Sequence, residues 1–350
     1  MNRRLFLAAF AAVACSGTSG PVEPPPAPAE PGLDRIRIGW QTTWATQGQL
    51  AVILMRTDIL EQHGFEATFH GFSYGGPLNE GAMAGAVDVL FTADQPAVAL
   101  ASKATNWGII GRLMTNRVGT FVPPDSPVRS AADLKGRTVA VPFGAAAHRA
   151  TLGALRGAGL EPGNDVQVTN LGLQEIVALV GAGPDAETHR WGATDAAAAW
   201  DPAFANLEHS GVVRVIDQAE VTSVVVMDDR FAEGRSDARV RFQQALHAAY
   251  DVYRSDPARA NAWFKAESDL PFDVGVLELA ASVEDNLTAS TPEQVRVHLT
   301  DVEVAGIQEA ADFMVEAKLL RQPVDVKTLL RPGATQAARS TLTADRVVVR

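Results

Sequence analysis

Apolar positions along this chain switch repeatedly between a period of two and a period near 3.6. Residues 35–41, Arg-Ile-Arg-Ile-Gly-Trp-Gln, put Ile36, Ile38 and Trp40 on one side of an extended segment, which predicts a strand with Trp40 packed inside. Residues 49–62 change to helical spacing, with Leu50, Ile53, Leu54, Thr57 and Leu60 on one face, and Gly64 stands where a helix end favours glycine. The alternation continues with a strand at 65–69, a helix at 77–86, a strand at 87–91, a helix at 95–104 and a strand at 107–113. Strands separated by single helices predict an α/β unit, a mostly parallel sheet covered on both faces.

A second unit starts after Pro123 and Pro124. Residues 130–133 form a helix-start box, 138–141 a short strand, and 145–156 a helix that ends near Gly157 and Gly159. Further strands are predicted at 166–169, 193–200, 212–216 and 222–227. From Ser236 onward the pattern is helical throughout, with Phe242, Ala245, Leu246, Ala249, Tyr250 and Tyr253 in one stripe. With the strands used up, these helices are expected to pack back on the first sheet. The expected organisation is a first lobe at 33–124, a second lobe at 125–226, a mostly helical return to the first lobe at 227–330, and a tail at 331–350 whose weak periodicity assigns it no element.

Composition narrows the function. A chain of 350 residues suits two lobes, and a formal charge of −11 argues against a nucleic-acid partner, which requires a basic face. Cys15 is the single cysteine, so an intramolecular disulfide and a thiol-rich metal site are excluded. His63, His70, His148, His189, His209, His247 and His298 lack paired metal-ligand spacing, and there is no Gly-x-Ser-x-Gly elbow or phosphate loop. No metal, cofactor or catalytic residue is therefore expected.

The start of the chain reads as an address. Arg3 and Arg4 precede about ten apolar residues, the size of a signal-peptide core and too short to span a bilayer. Ala12-Val-Ala-Cys15 resembles the lipobox of bacterial lipoproteins, with Ala where Leu is usual. This implies a signal peptide at 1–14 and acylation of Cys15, with residues 15–32, rich in proline, as a tether. The paired arginines also resemble a twin-arginine export signal, so both that route and the general one stay open. The expected location is the periplasm or cell surface, anchored to a membrane.

Four stretches read in order resemble the substrate-binding proteins of nitrate, sulfonate and taurine importers, which are related to thiamine-precursor binders. They are Ile38-Gly-Trp-Gln41, Gly81-Ala-Met-Ala-Gly-Ala-Val-Asp-Val89, Ser130-Ala-Ala-Asp-Leu-Lys-Gly-Arg-Thr-Val-Ala-Val141 and Ala193-Thr-Asp-Ala-Ala-Ala-Ala-Trp-Asp-Pro202. The resemblance covers roughly residues 34–320. It implies a type II periplasmic-binding-protein fold, in which two lobes close on a small molecule and deliver it to an ABC permease, and a monomer.

Open α/β sheets bind ligands beyond the carboxyl ends of their strands. In lobe 1 that places Gln41, Thr42, Thr43 and Trp44, then Ser73 and Tyr74, then Thr92, Asp94 and Gln95 at the cleft. In lobe 2 it places Phe143, Gly144, Ala145 and His148 at a helix start, and Trp200 with Asp201 after a later strand. The helix start suits an oxyanion through free N–H groups and the helix dipole, which favours a sulfonate, nitrate or carboxylate. Against this, Ala145, Ala146 and Ala147 offer no hydroxyl, and Asp94 would repel an anion. Trp44, Tyr74 and Trp200 could instead stack on a heterocycle or, with Asp94, enclose an amine.

Each residue also has a structural role open to it: Asp94 as a cap for the helix from Gln95, Trp200 in the core, His148 in a first helical turn. The stretch 181–191 is longer than the resemblance implies and reads as either a tolerated surface insertion or a specificity loop. Two other functions stay open beside import. One is a sensory ligand-binding module. The other is an enzyme like the pyrimidine-precursor synthases, although the cysteine-rich motif associated with that chemistry is missing.

Overall fold

Ile36, Ile38 and Trp40 face one way from β1 (Asp34–Gln41) and are buried, whereas Arg35 and Arg37 between them are exposed. This alternation lets one strand face of the computed structural model carry α1 (Gln47–Arg56) and the short α2 (Ile59–Gln62). The structure describes residues 32–268, 272–331 and 339–350. Residues 1–31, including Cys15 and the expected leader and lipobox, lie outside the described residues.

The chain continues through β2 (Phe65–Phe72), α3 (Gly75–Met83), β3 (Val89–Ala93), α4 (Asp94–Lys103) and the long β4 (Trp107–Val122). It then forms β5 (Thr138–Val141), α5 (Ala146–Gly157), β6 (Gln167–Asn170), α6 (Leu173–Gly181), β7 (Ala196–Trp200) and α7 (Ala203–His209). β8 (Arg214–Asp228) returns, and α8 (Asp229–Ala232), α9 (Ala238–Ser255), α10 (Pro257–Ser268), α11 (Val274–Ala281), α12 (Asp285–Thr288) and α13 (Asp301–Glu316) follow.

One eight-stranded sheet runs through the molecule in the order β2-β1-β3-β8-β4-β7-β5-β6. β1 is parallel to β2 and β3, and β5 is parallel to β6 and β7. β4 and β8 pair antiparallel from Trp107↔Asp228 to Val122↔Arg214. One end of this ribbon joins β3, at Val89↔Met227 to Ala93↔Ser223, and the other joins β7, at Val118↔Trp200 to Phe121↔Ala197. Two lobes therefore share two strands, and both faces of each half-sheet are covered. In lobe 1, Val89 and Phe91 meet α1 and α9 while Leu90 meets α3, α4 and α13. In lobe 2, Val139 and Val141 meet α5, and Ala140 meets α6 and α7.

The helices after β8 pack on lobe 1. The stripe Phe242, Ala245, Leu246, Ala249, Tyr250 and Tyr253 is buried in the same core as β1. Gly48 allows α1 to approach α10 closely, since a Cβ there would stand 2.1 Å from the Phe264 ring.

Three expectations needed correction. The predicted helix at 49–62 is two helices, because the Thr57 hydroxyl turns back to the Ile53 carbonyl (2.7 Å) and Asp58 exchanges backbone and side-chain bonds with Val348. The strand at 107–113 runs on to Val122, and 212–216 with 222–227 is one strand. Arg112, Asn116 and Arg117 break the apolar run yet are all buried, each with a partner. α6 and α7 were not anticipated. The unassigned tail, over residues 339–350, lies along α2 and α9, with Ala344 N–H bonded to Asp251 and Arg350 to Glu61.

Arg112 is 1% exposed and Glu284 not at all. Its guanidinium makes two parallel bonds to Glu284 (2.9 and 2.8 Å) and one to Glu303 (2.8 Å), while Glu284 also accepts from the N–H groups of Thr115 and Asn286. β4 is thereby fixed to the helices that follow β8. Removing one member leaves a buried charge alone, so Glu284→Ala should lower the unfolding free energy by about 3–5 kcal/mol, measured by urea denaturation.

Candidate functional site

The carboxyl ends of β1, β3, β5, β6 and β7 converge where the lobes meet. From lobe 1 come the turn after Gln41, the first turn of α1 and the start of α4. From lobe 2 come the turn before α5, Asn170 and the turn after Trp200.

The two walls touch directly. The Gln95 side-chain N–H donates to the Gly144 carbonyl at 2.7 Å, and Arg149 on α5 pairs with Asp94 at 2.5 Å. Asp94 also accepts the Gln95 N–H at 2.7 Å. It therefore serves α4 as a helix-start acceptor and the interface as a latch, and Arg149 cancels its charge. Gly144 adopts φ +80°, a left-handed turn that suits glycine. Farther along α5, Arg156 pairs with Glu316 of α13.

In the turn before α5, Phe143 N–H donates to the Asn170 side chain (3.0 Å), Gly144 N–H to His148 Nδ1 (3.2 Å), and Ala145 N–H to the Pro142 carbonyl (3.1 Å). The first-turn amides of α5 itself, on Ala146, Ala147 and His148, are left to the helix start. His148 is stacked on Phe143 (4.7 Å between centroids) and meets the Phe313 ring edge-on (5.4 Å). Burial holds its pKa below the ordinary value. Acceptance of the Gly144 N–H identifies the neutral ring with its proton on Nε2.

Several expected residues have other duties. Thr42 and Thr43 bond the carbonyls of Phe72 and Ser73, tying the β1 turn to the β2 turn. Asp201 is buried, accepts the Ala205 N–H (2.9 Å), and receives Arg117 at 2.8 and 3.2 Å, with Arg117 also over the Phe204 ring. Trp200 is partly buried against the core of lobe 2. Ser73, Tyr74 and Phe143 are exposed on the rim. Asp88 and Asp195, the acids of two sequence stretches quoted above, bond Arg37 and Arg137 with the neighbouring backbone. The 181–191 stretch precedes β7, at the end of that strand away from Trp200.

What remains for a ligand is a set of buried polar atoms without protein partners: Trp44 Nε1, both amide atoms of Gln47, Thr92 Oγ1 and Gln95 Oε1. Gln47, Thr92 and Gln95 are at most 3% exposed, and Trp44 is 8%. Gln41 and Thr92 are brought alongside by the parallel pairing of β1 and β3, and Gln41 donates to the Phe91 carbonyl. The turn leading into Gln47 is strained, with Thr46 at φ 68°, a conformation rare for a β-branched residue. Gln47 and Arg149 escaped the sequence reading. The available signal for Gln47 was its place in the first turn of the helix that follows β1.

A cavity of about 650 Å³ opens on one flank of the latch, between α5, α13 and β8. Of the expected residues only Asp94 lines it, and Asp217, Glu220, Glu309 and Asp312 make it acidic. Trp44, Gln47, Thr92 and Gln95 do not line it, but Arg149, whose Nη1 is also buried without a partner, does.

Comparison with known proteins identifies the lineage. A family described as NMT1/THI5 like matches residues 80–260. The chain belongs to this family. This NMT1/THI5-like protein is 27% identical over 310 residues to a protein of Escherichia coli (strain K12) named for binding aliphatic sulfonates, covering 85% of this chain and 89% of that one. It is 30% identical over 197 residues to the taurine-binding periplasmic protein of the same organism, covering 53% and 57%. The crystal structure of the periplasmic aliphatic sulphonate binding protein of Escherichia coli superposes with a TM-score of 0.67 at 22% identity, covering 88% and 95%. A desulfurization enzyme does so with a TM-score of 0.61 at 16% identity, covering 86% and 97%. The NMT1/THI5-like chain has the two-lobed periplasmic-binding-protein fold, as its sequence implied.

Two outcomes follow from the site. Gln47 has two buried amide atoms without partners, so the near-isosteric Gln47→Met should raise the melting temperature by roughly 2–6 °C in calorimetry. Burial holds the folded-state pKa values of His63, His148 and His247 below the ordinary 6.5. At these sites the unfolded chain binds more protons below pH 6.5, so the stability they contribute above that pH is lost as pH falls through it. Burial lifts the Asp201 carboxyl to about 7, and this group opposes them because the folded chain takes up its proton first. Lowering the pH from 7 to 5 should therefore destabilise His148→Leu less than the unsubstituted protein, read as the difference between their melting temperatures in calorimetry.

Proposed function

We propose that this chain is the extracytoplasmic solute-binding component of an ABC importer, capturing a small organic molecule by closure of its lobes. The observation that carries the proposal is the group of unpartnered polar atoms on Trp44, Gln47, Thr92 and Gln95, buried beside a direct interlobe bond. Buried donors and acceptors are expensive when unmatched, and at the strand ends of this fold a bound molecule supplies the match. Gln95 links ligand contact to closure because its two amide atoms serve the two tasks. Closure then depends on contacts made with both lobes.

The names of the relatives favour a sulfonate or similar oxyanion. A second reading, an amine or N-heterocycle, is favoured by the acceptor at Gln95 Oε1. The leader reading extends the proposal: Cys15 is acylated, the tether holds the body near a membrane, and the working place is the periplasm or cell surface. Among the described residues no helix is long and apolar enough to cross a membrane. Delivery to a permease is favoured over sensing because the named relatives are binding proteins of transport type. The enzyme reading has the fold of the desulfurization enzyme on its side, while the names of the two Escherichia coli relatives favour binding.

The deciding experiment purifies the protein from its own host and identifies by mass spectrometry what is released on denaturation. One small organic molecule in near-stoichiometric amount is expected, and its uptake should stop when the gene is deleted. Release of nothing, with uptake unchanged across a metabolite panel, would remove the import reading. Cys15→Ser should move the protein from the membrane fraction to the soluble one, checked by fractionation.

A further inference from the structure

We propose that the His148 ring positions the Gly144 carbonyl for Gln95 of the other lobe, and that a proton gained by the ring breaks this contact between the lobes. Only its bearing on capture rests on the cleft being the solute site.

The two polar backbone atoms of Gly144 have separate duties. Its carbonyl accepts the Gln95 side-chain N–H from lobe 1 at 2.7 Å, and its N–H donates to His148 Nδ1 at 3.2 Å within lobe 2. The backbone between them is left-handed, with φ +80°. The residues on either side are held by Asn170 and by the Pro142 carbonyl, and the bond to His148 ties Gly144 itself to α5. A ring carbon could not accept the N–H, so a nitrogen with a free lone pair must face it. The protonated ring carries a hydrogen on both nitrogens, which sets two donors face to face. Gly144, without a Cβ, then turns readily, and the turn carries its carbonyl away from Gln95.

The setting favours such a change. The ring is 8% exposed, stacked on Phe143 at 4.7 Å and met edge-on by Phe313 of α13 at 5.4 Å. Charged groups stand on every element around it. Arg149, next on α5, pairs with Asp94 of α4 and keeps its Nη1 without a protein partner. On α13, Glu316 pairs with Arg156, Asp312 accepts from Gln308, and Glu309 lines the acidic cavity. Lys318 lies on the turn beyond, where Leu319 stands beside Gly144. Burial, rather than any of these charges, holds the ring below the ordinary pKa of 6.5, so the accepting form prevails at neutral pH. Part of that burial comes from lobe 1 through Phe313. By linkage, a proton on His148 therefore favours the lobes apart.

Nuclear magnetic resonance on the full protein, titrated from about pH 7.5 to about pH 5, tests this. The His148 ring should carry its proton on Nε2 at the upper end and titrate with a midpoint below 6.5. The Gly144 amide and Gln95 side-chain NH2 signals should shift with that same midpoint. His148→Gln supplies an acceptor that does not titrate, and the shift of the Gln95 signal at that midpoint should be lost. His148→Phe keeps an aromatic ring without the acceptor, and its Gln95 signal at the upper end should match the one the unsubstituted protein reaches at the lower end. Asp201, lifted to about 7, is retained in both variants, so it cannot account for a difference between either of them and the unsubstituted protein. The inference is overturned by a Gln95 signal indifferent to the His148 midpoint, by a shift that survives in His148→Gln, or by a His148→Phe signal unchanged at the upper end. Each of these leaves the solute-binding reading standing.

Discussion

A two-stranded ribbon, β4 against β8, is common to both lobes, and the behaviour of the protein follows from how each end of it is held. Isolated two-stranded ribbons twist easily, so a ribbon free at both ends would make a poor hinge. Each end is instead gripped by an arginine on β4. Arg112 is locked to Glu284 and Glu303 on the lobe 1 side, and Arg117 to Asp201 and Glu208 on the lobe 2 side. Only residues 113–116 of β4 lie between the grips, where Asn116 and Ser223 bond across the strands. Rigid lobes with a short compliant span are what hinge closure requires.

The same economy of residues appears at the cleft. Asp94 starts a helix and latches a lobe; Gln95 latches with one amide atom and leaves the other without a protein partner. Because these two neighbours sit at the end of β3, a shift of α4 also shifts the latch.

The alternation of strand and helix was legible because it depends on local apolar spacing. Ile36, Ile38 and Trp40 on β1 and the long stripe on α9 show their buried faces plainly. The full length of β4 and β8 was not legible, since Arg112 and Arg117 look like solvent-facing residues until their carboxylate partners, 84 to 191 positions away, are placed. The candidate wall was half legible. Thr92, Asp94 and Gln95 follow from the strand-end rule, whereas Gln47 lies inside a helix where that rule does not look. The bonds that occupy the Phe143 and Gly144 amides were not legible, because their acceptors on Asn170 and His148 are not signalled by local sequence.

Arg149 and Arg156 lie on one helix of lobe 2 and both reach across to lobe 1, but they differ in exposure. The Arg149–Asp94 pair is largely shielded, at 18% and 2% side-chain exposure, whereas Arg156–Glu316 stands at 41% and 55%. Dissolved salt screens the outer pair and barely touches the inner one. The grip of lobe 2 on lobe 1 is therefore carried across changes of ionic strength by the inner pair, and each 1.4 kcal/mol of such grip favours the joined lobes about tenfold over the parted ones.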